Sequence, residues 1–340
     1  MSNTSGCFNC SSEPTTNCRK CRFRKFCDVL ERAFTDEQRE NIDEMEDSEQ
    51  GTATSNCSSN DTETHSSFID HTRFHLEQPS CSDTPLLDKI RWSYSLLCLM
   101  RKTGETATKP VTYQISQQEF DGSEINHTPT TYSMIVPNSR IFASAMYEFA
   151  KMAFSDFSKM SSANKALCIE NSFHQVSLID SNYRSAFYFP NNLDAYFASY
   201  TTIVSDKTIH SFLNDCPFET NREEAIGALK EGMKRLRSMN REFFHRVKPD
   251  DVEFLVLLGL SFWNTEVAIV NEELSEAVEK NRNEILKELH SVYKARGKED
   301  YATRLGELFT LLDNNQENVT LTQHDIELYK LHNMFNEAFP

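Results

Sequence analysis

The sequence of 340 residues contains little glycine and lacks the motifs that commonly signal enzyme chemistry. Only 9 glycines are present, and G-x-G-x-x-G, G-x4-G-K-[ST], H-E-x-x-H and G-x-S-x-G are all missing. Those motifs supply phosphate-cradling loops, paired zinc ligands on one helix face, or an exposed nucleophile. We therefore expect a protein without enzymatic activity.

A long apolar run and a signal segment are missing as well. The longest apolar run, Phe254–Trp263, is interrupted by Gly259 and Ser261. It falls well short of the ~20 residues that span a bilayer. Met1–Gly6 contains no apolar region, so no secretory signal is expected. Ten cysteines in a chain of this length do not indicate a disulfide framework. We expect an intracellular protein that does not enter a membrane.

Basic charge is scarce, because 35 Lys and Arg residues face 51 Asp and Glu residues and the formal net charge is −16. Repulsion from phosphate argues against a role for the whole chain in coating nucleic acid. Residues 34–85 are rich in Ser, Thr, Asp, Glu and Asn. Such a segment has too little apolar surface to offset the entropy of ordering. The sequence therefore predicts a disordered acidic hinge at 34–85, between a short segment at 1–33 and a folded domain at 86–340.

The first segment combines paired cysteines with basic residues. Its cysteines form C-x2-C-x7-C-x2-C, and two such knuckles supply four thiolates to a tetrahedral zinc ion. These predicted ligands are Cys7, Cys10, Cys18 and Cys21. The basic residues are candidates for contacts to DNA phosphates, which position a protein without reading sequence; they are Arg19, Lys20, Arg22, Arg24 and Lys25. Three alternatives stay open: a nuclear localisation signal, a relic knuckle without metal, or a zinc-stapled stub used for protein contact.

The centre of the folded domain is predicted at Ser139–Pro190. Apolar residues recur there at helical steps of three and four from Phe142 to Met160, and again from Ile169 to Tyr183. A polar break at Ser161–Asn164 separates the two stripes. An aromatic strand at Phe187–Phe189 is expected to pair with the β-branched segment Tyr196–Val204 as a hairpin. Two long helices ending at a small hairpin favour a layered all-α domain.

Further helices are predicted on both sides of this centre. The expected starts are Leu86, Asn221, Asp250, Asn271, Tyr301 and Thr322. The helix after Asp250 is apolar on all sides over Phe254–Leu258, which is typical of a fully buried central helix. Pro249 and Gly297 are expected to end the helices that precede them.

Three runs within the central stretch resemble the signature of nuclear hormone receptor ligand-binding domains, above all the divergent nematode set. They are Phe154–Lys165, Asn171–Phe173 and Asn182–Ser185. Cys18–Cys27 resembles the end of the second zinc finger of the same family, in a degenerate form. The resemblance implies a layered helical sandwich with a small β-hairpin and a nuclear transcription regulator. The chain contains no first finger, so we expect weak or indirect DNA binding; the alternative is a DNA-binding-deficient dimerisation module that modulates other receptors.

The resemblance also implies site residues. A pocket for a small apolar ligand would be lined by Met146, Phe149, Ala150, Ile179, Tyr183 and Phe189, although the same side chains could equally fill the core. The groove for transcriptional co-regulators would include Lys151, Glu170 and Glu337. Met334–Phe339 would form an activation helix, or else simply end the helix before it. A homo- or heterodimer contact with another receptor is expected around Asp300–Leu312.

Overall fold

The structure, a computed structural model, describes residues 84–109, 127–216, 222–269, 272–297 and 301–331. The predicted zinc knuckle and acidic hinge lie outside these residues, as does the segment Met334–Phe339. Helices dominate the described part. Its first half contains α1 (Pro85–Ala107), α2 (Ile135–Ala153), α3 (Ser155–Lys159), α4 (Ser162–Tyr188) and α5 (Ile209–Phe212).

The second half continues the helical pattern. It contains α6 (Arg222–Leu236), a π-helical turn (Arg237–Arg241), α7 (Glu242–Val247), α8 (Asp251–Phe262), α9 (Thr265–Ala268), α10 (Glu272–Ala295) and α11 (Ala302–Leu331). Three short strands interrupt the first half: β1 (Thr128–Pro129), β2 (Tyr196–Phe197) and β3 (Thr202–Val204). Among the described residues, no helix combines the length and apolar character needed to cross a membrane.

The helices pack in layers, which confirms the predicted helical sandwich. Helices α4 and α10 both contact α8, and these three helices form the middle layer. Helices α1 and α2 pack together on one side of it. On the other side, α11 packs with the π-helical turn, α6 and α7. Layering of this kind lets each amphipathic helix bury its apolar stripe against a neighbour.

Helix α8 lies at the centre because its sequence is apolar all round. Phe254–Phe262 is buried throughout, as predicted. The helix begins at a capping box, in which Asp250 accepts a hydrogen bond from the backbone N–H of Glu253 (2.9 Å) and Glu253 accepts one from the N–H of Asp250 (2.9 Å). This reciprocal pair satisfies two amides that the first helical turn leaves unpaired.

The small sheet has the strand order β1-β3-β2. Strands β2 and β3 are antiparallel, with Tyr196 opposite Val204, whereas β1 runs parallel to β3, with Thr128 opposite Thr202. A small hairpin is present, as predicted, but the predicted pairing of Phe187–Phe189 with Tyr196–Val204 is wrong. Helix α4 continues through Tyr188 and ends just before Pro190, which disfavours helical backbone at the residue before it. Both strands of the hairpin come instead from 196–204.

Two further predicted boundaries are corrected. The stripe from Phe142 to Met160 does not form one helix, because Phe154 adopts extended backbone (φ −120°, ψ 110°) and separates α2 from α3. The break predicted at Thr322 does not occur, because α11 runs unbroken to Leu331. A capping threonine accepts a hydrogen bond from a later backbone N–H. The Thr322 hydroxyl instead donates to the Asn318 side chain in the preceding turn (3.3 Å).

Candidate functional site

Five of the six predicted pocket residues are buried in the main core. Helix α2 carries Met146, Phe149 and Ala150, and the neighbouring helix α4 carries Ile179 and Tyr183, all of them buried. Phe189 follows the end of α4 and is half-buried. The structure therefore places the predicted set on two helices in contact, with Phe189 at one end.

Two of these residues pack directly against the central helix. The ring of Tyr183 stacks on Phe254 at 3.7 Å between centroids, and its hydroxyl donates to Asp251 (2.7 Å). Phe149 meets Phe262 edge to face at 6.3 Å. Aromatic contacts of this geometry stabilise a core beyond the effect of buried area alone. These two side chains therefore help to hold α8 in the middle layer.

Two pockets among the described residues are lined by other side chains. The larger, of about 240 Å³, is an open cleft between α3 and α10, lined by Asp156, Lys159, Met160, Glu273, Glu276, Ala277 and Lys280. Two of its three acidic side chains have partners, since Asp156 accepts from Lys280 (2.9 Å) and Asn164 donates to Glu273 (2.6 Å). A ligand role for the six apolar residues stays a prediction.

A buried carboxylate on α4 ties two helices together. Asp180 accepts hydrogen bonds from Arg101 (2.6 Å) and Tyr94 (2.5 Å), both on α1, and Arg184 lies 3.8 Å from the same carboxylate. Burial alone would raise the pKa of Asp180, but the charges of Arg101 and Arg184 outweigh that effect and hold the pKa below its ordinary value. The carboxylate is therefore ionised and fully compensated.

A second buried carboxylate joins α1 to the hairpin. Glu105 accepts hydrogen bonds from the backbone N–H groups of Tyr200 (3.0 Å) and Thr201 (2.7 Å) and from the hydroxyl of Ser199 (2.7 Å). Arg184 donates to the carbonyl of Tyr200 (2.7 Å), and its guanidinium lies 4.0 Å from the ring centroid of Phe197. Four buried charges thus fix the hairpin loop on both α1 and α4.

A third carboxylate links α8 to α10 and α11. Glu253 accepts hydrogen bonds from Tyr293 (2.7 Å) and from Arg304 (2.8 and 2.6 Å). Burial would raise the pKa of Glu253, but the bonds from Arg304 and Tyr293 outweigh it and lower the pKa. Arg304 also donates to the carbonyl of Val247 at the end of α7 (2.8 Å).

Comparison with known proteins decides the family. Residues 143–332, more than half of the chain, match the family described as the ligand-binding domain of nuclear hormone receptor. The chain belongs to this family. It is also similar to nuclear hormone receptor family member nhr-16 of Caenorhabditis elegans, with 24% identity over 276 residues. That match covers 78% of this chain and 66% of the relative, just under two thirds of its length.

The predicted co-regulator groove of this receptor domain is only partly described. Lys151, near the end of α2, is 37% exposed and pairs with Glu148 (3.5 Å), and Glu170 is exposed on α4. Glu337 lies outside the described residues. The groove assignment stays a prediction.

The predicted dimer segment lies mostly on α11. Leu308 and Leu311 face the core, whereas Leu305, Phe309 and Leu312 pack against the core and keep part of their surface exposed. Asp300 lies outside the described residues. The structure therefore provides a partly exposed apolar strip at the place where the sequence predicts a receptor–receptor contact.

The structure does not test the predictions for the first segment, residues 1–33. The zinc ligands Cys7, Cys10, Cys18 and Cys21 lie outside the described residues, as do the basic residues from Arg19 to Lys25. Within the described ranges, no group of three or more His, Cys, Asp or Glu side chains is placed to hold a metal ion.

Sequence analysis missed the buried charges, which among the described residues are Arg101, Glu105, Asp180, Arg184, Arg241, Glu253 and Glu288. One signal was present: Asp180 and Arg184 are four residues apart and flank the apolar positions Ile179 and Tyr183. Charged residues next to a buried apolar stripe must find partners. The identity of those partners depends on the tertiary fold.

Proposed function

We propose that this protein is a non-enzymatic transcription regulator of the nuclear receptor type, that it acts in the nucleus, and that it binds DNA weakly or indirectly. The membership of residues 143–332 in the receptor ligand-binding-domain family carries this proposal. The similarity to a protein named as a nuclear hormone receptor family member supports it. The six predicted pocket residues are proposed to contact a small apolar ligand: Met146, Phe149 and Ala150 on α2, Ile179 and Tyr183 on α4, and Phe189.

A reporter assay tests the regulatory role. Residues 84–340, fused to a heterologous DNA-binding domain, are expected to change transcription from a matching reporter several-fold in either direction. The matched control is the same fusion carrying Phe254→Asp, which places a charge in the core and should unfold the domain. A folded fusion that leaves the reporter unchanged would reject a regulatory function for this domain.

Zinc binding and DNA binding are proposed for the first segment. Full-length protein is expected to contain one zinc ion per chain by elemental analysis, and Cys18→Ser with Cys21→Ser should lose it. Gel shifts of the same protein are expected to show weak, salt-sensitive binding without sequence preference. If the protein contains no zinc, the zinc knuckle is excluded. Tight, sequence-selective binding of DNA would exclude weak or indirect DNA binding.

Weak co-regulator recruitment is a further part of the proposal. An acidic residue at Glu170, where the family pattern carries a lysine, reverses the local charge of the groove, and such a reversal repels what the pattern attracts. Glu170→Lys is therefore expected to strengthen the binding of a receptor-type co-activator peptide, measured by fluorescence anisotropy. Unchanged binding of the peptide would mean that this receptor does not bind co-activators through the family's groove.

The partly exposed strip on α11 favours a second candidate, a module that dimerises with other receptors. Leu305 and Leu312 are two turns apart on that helix. Leu305→Glu combined with Leu312→Glu is expected to convert dimers into monomers in light scattering, whereas Thr310→Glu, at an exposed position of the same helix, should not. Circular dichroism checks that the double variant is folded. A wild-type monomer at all concentrations, including mixtures with a partner receptor, would remove this candidate.

A further inference from the structure

Ser238 lies in a basic stretch at the junction of α6 and α7. Residues 234–239 read K-R-L-R-S-M, so that Arg235 stands three residues before the serine and Met239 directly after it. A serine with arginine at this spacing and an apolar residue behind it has the charge pattern that many serine kinases select in their substrates. In the whole sequence, only Ser238 and Thr35 follow an arginine at this spacing.

The side chain of Ser238 is open to solvent. The residue is exposed within the π-helical turn Arg237–Arg241. Its hydroxyl donates to the carbonyl of Arg235 in the same helical segment (3.1 Å). Within the described part of the chain, no other element holds this hydroxyl, and water readily replaces a local bond of this kind.

The residues around Ser238 can unwind without opening the apolar interior. A kinase binds its substrate in extended form, so the turn has to open before phosphate is transferred. Residues 234–239 contribute no side chain to either apolar cluster of the described part. They are held instead by ion pairs, of Arg235 with Asp325 on α11 and of Arg237 with two acidic side chains. Such pairs add little stability, and segments with few buried apolar contacts open at low cost.

We propose that Ser238 is a phosphorylation site for a serine kinase that selects basic substrates. The Ser238 oxygen forms a bond to the γ-phosphorus of ATP, the bond from that phosphorus to the bridging oxygen breaks, and ADP leaves. The hydroxyl proton passes to the catalytic base of the kinase. The modification adds a charge of about −1.5 to −2 at neutral pH. This inference goes beyond the proposed function and does not depend on it.

Arg235 also ties α6 to the far end of α11. It forms an ion pair with Asp325, and the two side chains are 27% and 24% exposed. Val319 is the last buried side chain on α11 within the described residues, and it precedes Asp325. The ion pair therefore supplies a contact where apolar packing of α11 has already ended.

A phosphate on Ser238 would compete with Asp325 for Arg235. Side chains three residues apart lie next to each other on a helix. The Nε of Arg235 has no hydrogen-bond partner among the described residues, so the guanidinium has a donor left for a new acceptor. A phosphoserine carries more charge than a carboxylate and accepts several charge-assisted hydrogen bonds. Phosphorylation should therefore weaken the contact between α6 and the last part of α11.

The test measures transfer of radiolabelled phosphate from ATP to folded full-length protein. The enzymes are the catalytic subunit of cyclic-AMP-dependent kinase and, separately, a calmodulin-dependent kinase, which both select arginine at this spacing. Thr35→Ala protein is used throughout, so that the second matching site is silent. Incorporation should reach about one phosphate per chain, map to Ser238 by mass spectrometry, and disappear in Ser238→Ala. Ser291→Ala is the control, because Ser291 is exposed on α10 but follows Glu288 at the same spacing.

Arg235→Gln separates recognition by the kinase from opening of the turn. It removes the ion pair with Asp325, which favours opening, but it also removes the arginine that the kinase selects. Incorporation should therefore fall at least about ten-fold. A peptide of residues 231–242 serves as the unfolded reference. No transfer to the folded chain by either kinase, whether or not the peptide is a substrate, would overturn the proposal, as would transfer that survives Ser238→Ala or rises in Arg235→Gln.

Hydrogen exchange tests the effect on α11. In phosphorylated protein, the amides of residues 320–331 should exchange about two- to five-fold faster than in Ser238→Ala treated with the same kinase. Asp325→Asn should show the same increase without phosphate, and the amides of α8 should not change in either protein. Unchanged exchange at the end of α11 in the phosphorylated protein would overturn the competition for Arg235.

Discussion

The buried charged residues of this protein are of two kinds. Asp180, Arg101 and Arg184 compensate one another within hydrogen-bond or ion-pair distance. Among the described residues, Arg241 has carbonyl acceptors only. Both kinds are expensive to bury, but only the first has its counter-charges among the described residues. We therefore assign the first kind to the stability and positioning of the hairpin.

Asp180→Asn is expected to destabilise the domain by about 3–5 kcal/mol near neutral pH, because it leaves two buried guanidinium groups without a counter-charge. Urea unfolding followed by circular dichroism measures the change. Lys234→Ala, which removes an exposed pair with Glu231, is the control and should leave the unfolding midpoint unchanged. A loss no larger than that of the control would mean that the network does not hold the domain together.

The pH dependence of this loss follows from the lowered pKa of Asp180. A carboxyl whose pKa is lower in the folded state contributes its full stability above its unfolded pKa, which is about 3.9 for aspartate. That contribution disappears as the pH falls through the folded pKa. The difference between wild type and Asp180→Asn should therefore be constant from pH 7 to pH 5 and shrink below about pH 4. A difference that grows towards acid pH would contradict an ionised Asp180.

At the scale of elements, apolar periodicity and capping residues predicted most helices but not all of their ends. Ser161, the first residue of the predicted polar break, caps α4 by accepting a hydrogen bond from the N–H of Asn164 (3.2 Å). Gly297 follows the end of α10 by two residues and adopts φ +67°, a conformation that favours glycine. The ends at Phe154 and Tyr188 were missed because aromatic residues are compatible with helix and strand alike, and packing decides between them.

Gly259 permits the close approach of α8 to α10 and α1. A Cβ atom at this position would lie 2.8 Å from Cδ1 of Ile285 and 3.3 Å from Cδ1 of Ile90. Gly259→Val is therefore expected to destabilise the domain by about 1–3 kcal/mol through overpacking, read from the shift in thermal unfolding. Gly259→Ala combined with Ile285→Val, which removes the nearest methyl group, should be more stable than Gly259→Ala alone. Additive effects of the two substitutions would show that α8 and α10 are not in contact there.

At the scale of the whole molecule, the described helices share one main core, and a smaller cluster lies between the hairpin, α5 and α6. The main core includes residues from α1, near the start of the described part, and Leu311 on α11, near its end. The smaller cluster contains Val204, Phe212 and Ile226. Because α1 contributes both core side chains and the carboxylate of Glu105, the folded domain cannot begin after it.

Residues 84–340 are therefore expected to fold without the first 83 residues. The fragment should unfold cooperatively, with the same midpoint as the full chain in thermal unfolding followed by circular dichroism. A fragment beginning at residue 109 lacks α1, and it should lose cooperative unfolding because it exposes the core faces of α2 and α8. Loss of folding in the longer fragment would mean that residues 1–83 contribute to the core.

The sequence by itself determined that this protein is a layered all-α domain with one buried central helix, because apolar periodicity reports which faces must leave water whatever they pack against. It also predicted the β-branched segment at 196–204 and most helix starts, through residues whose preferences are local. Only the tertiary structure decided which charges are compensated: Asp180 meets Arg101 across 79 residues of chain, and Arg241 meets carbonyls 52 and 56 residues away. The partner of a buried charge is set by how helices pack together, and no local pattern in the chain encodes it.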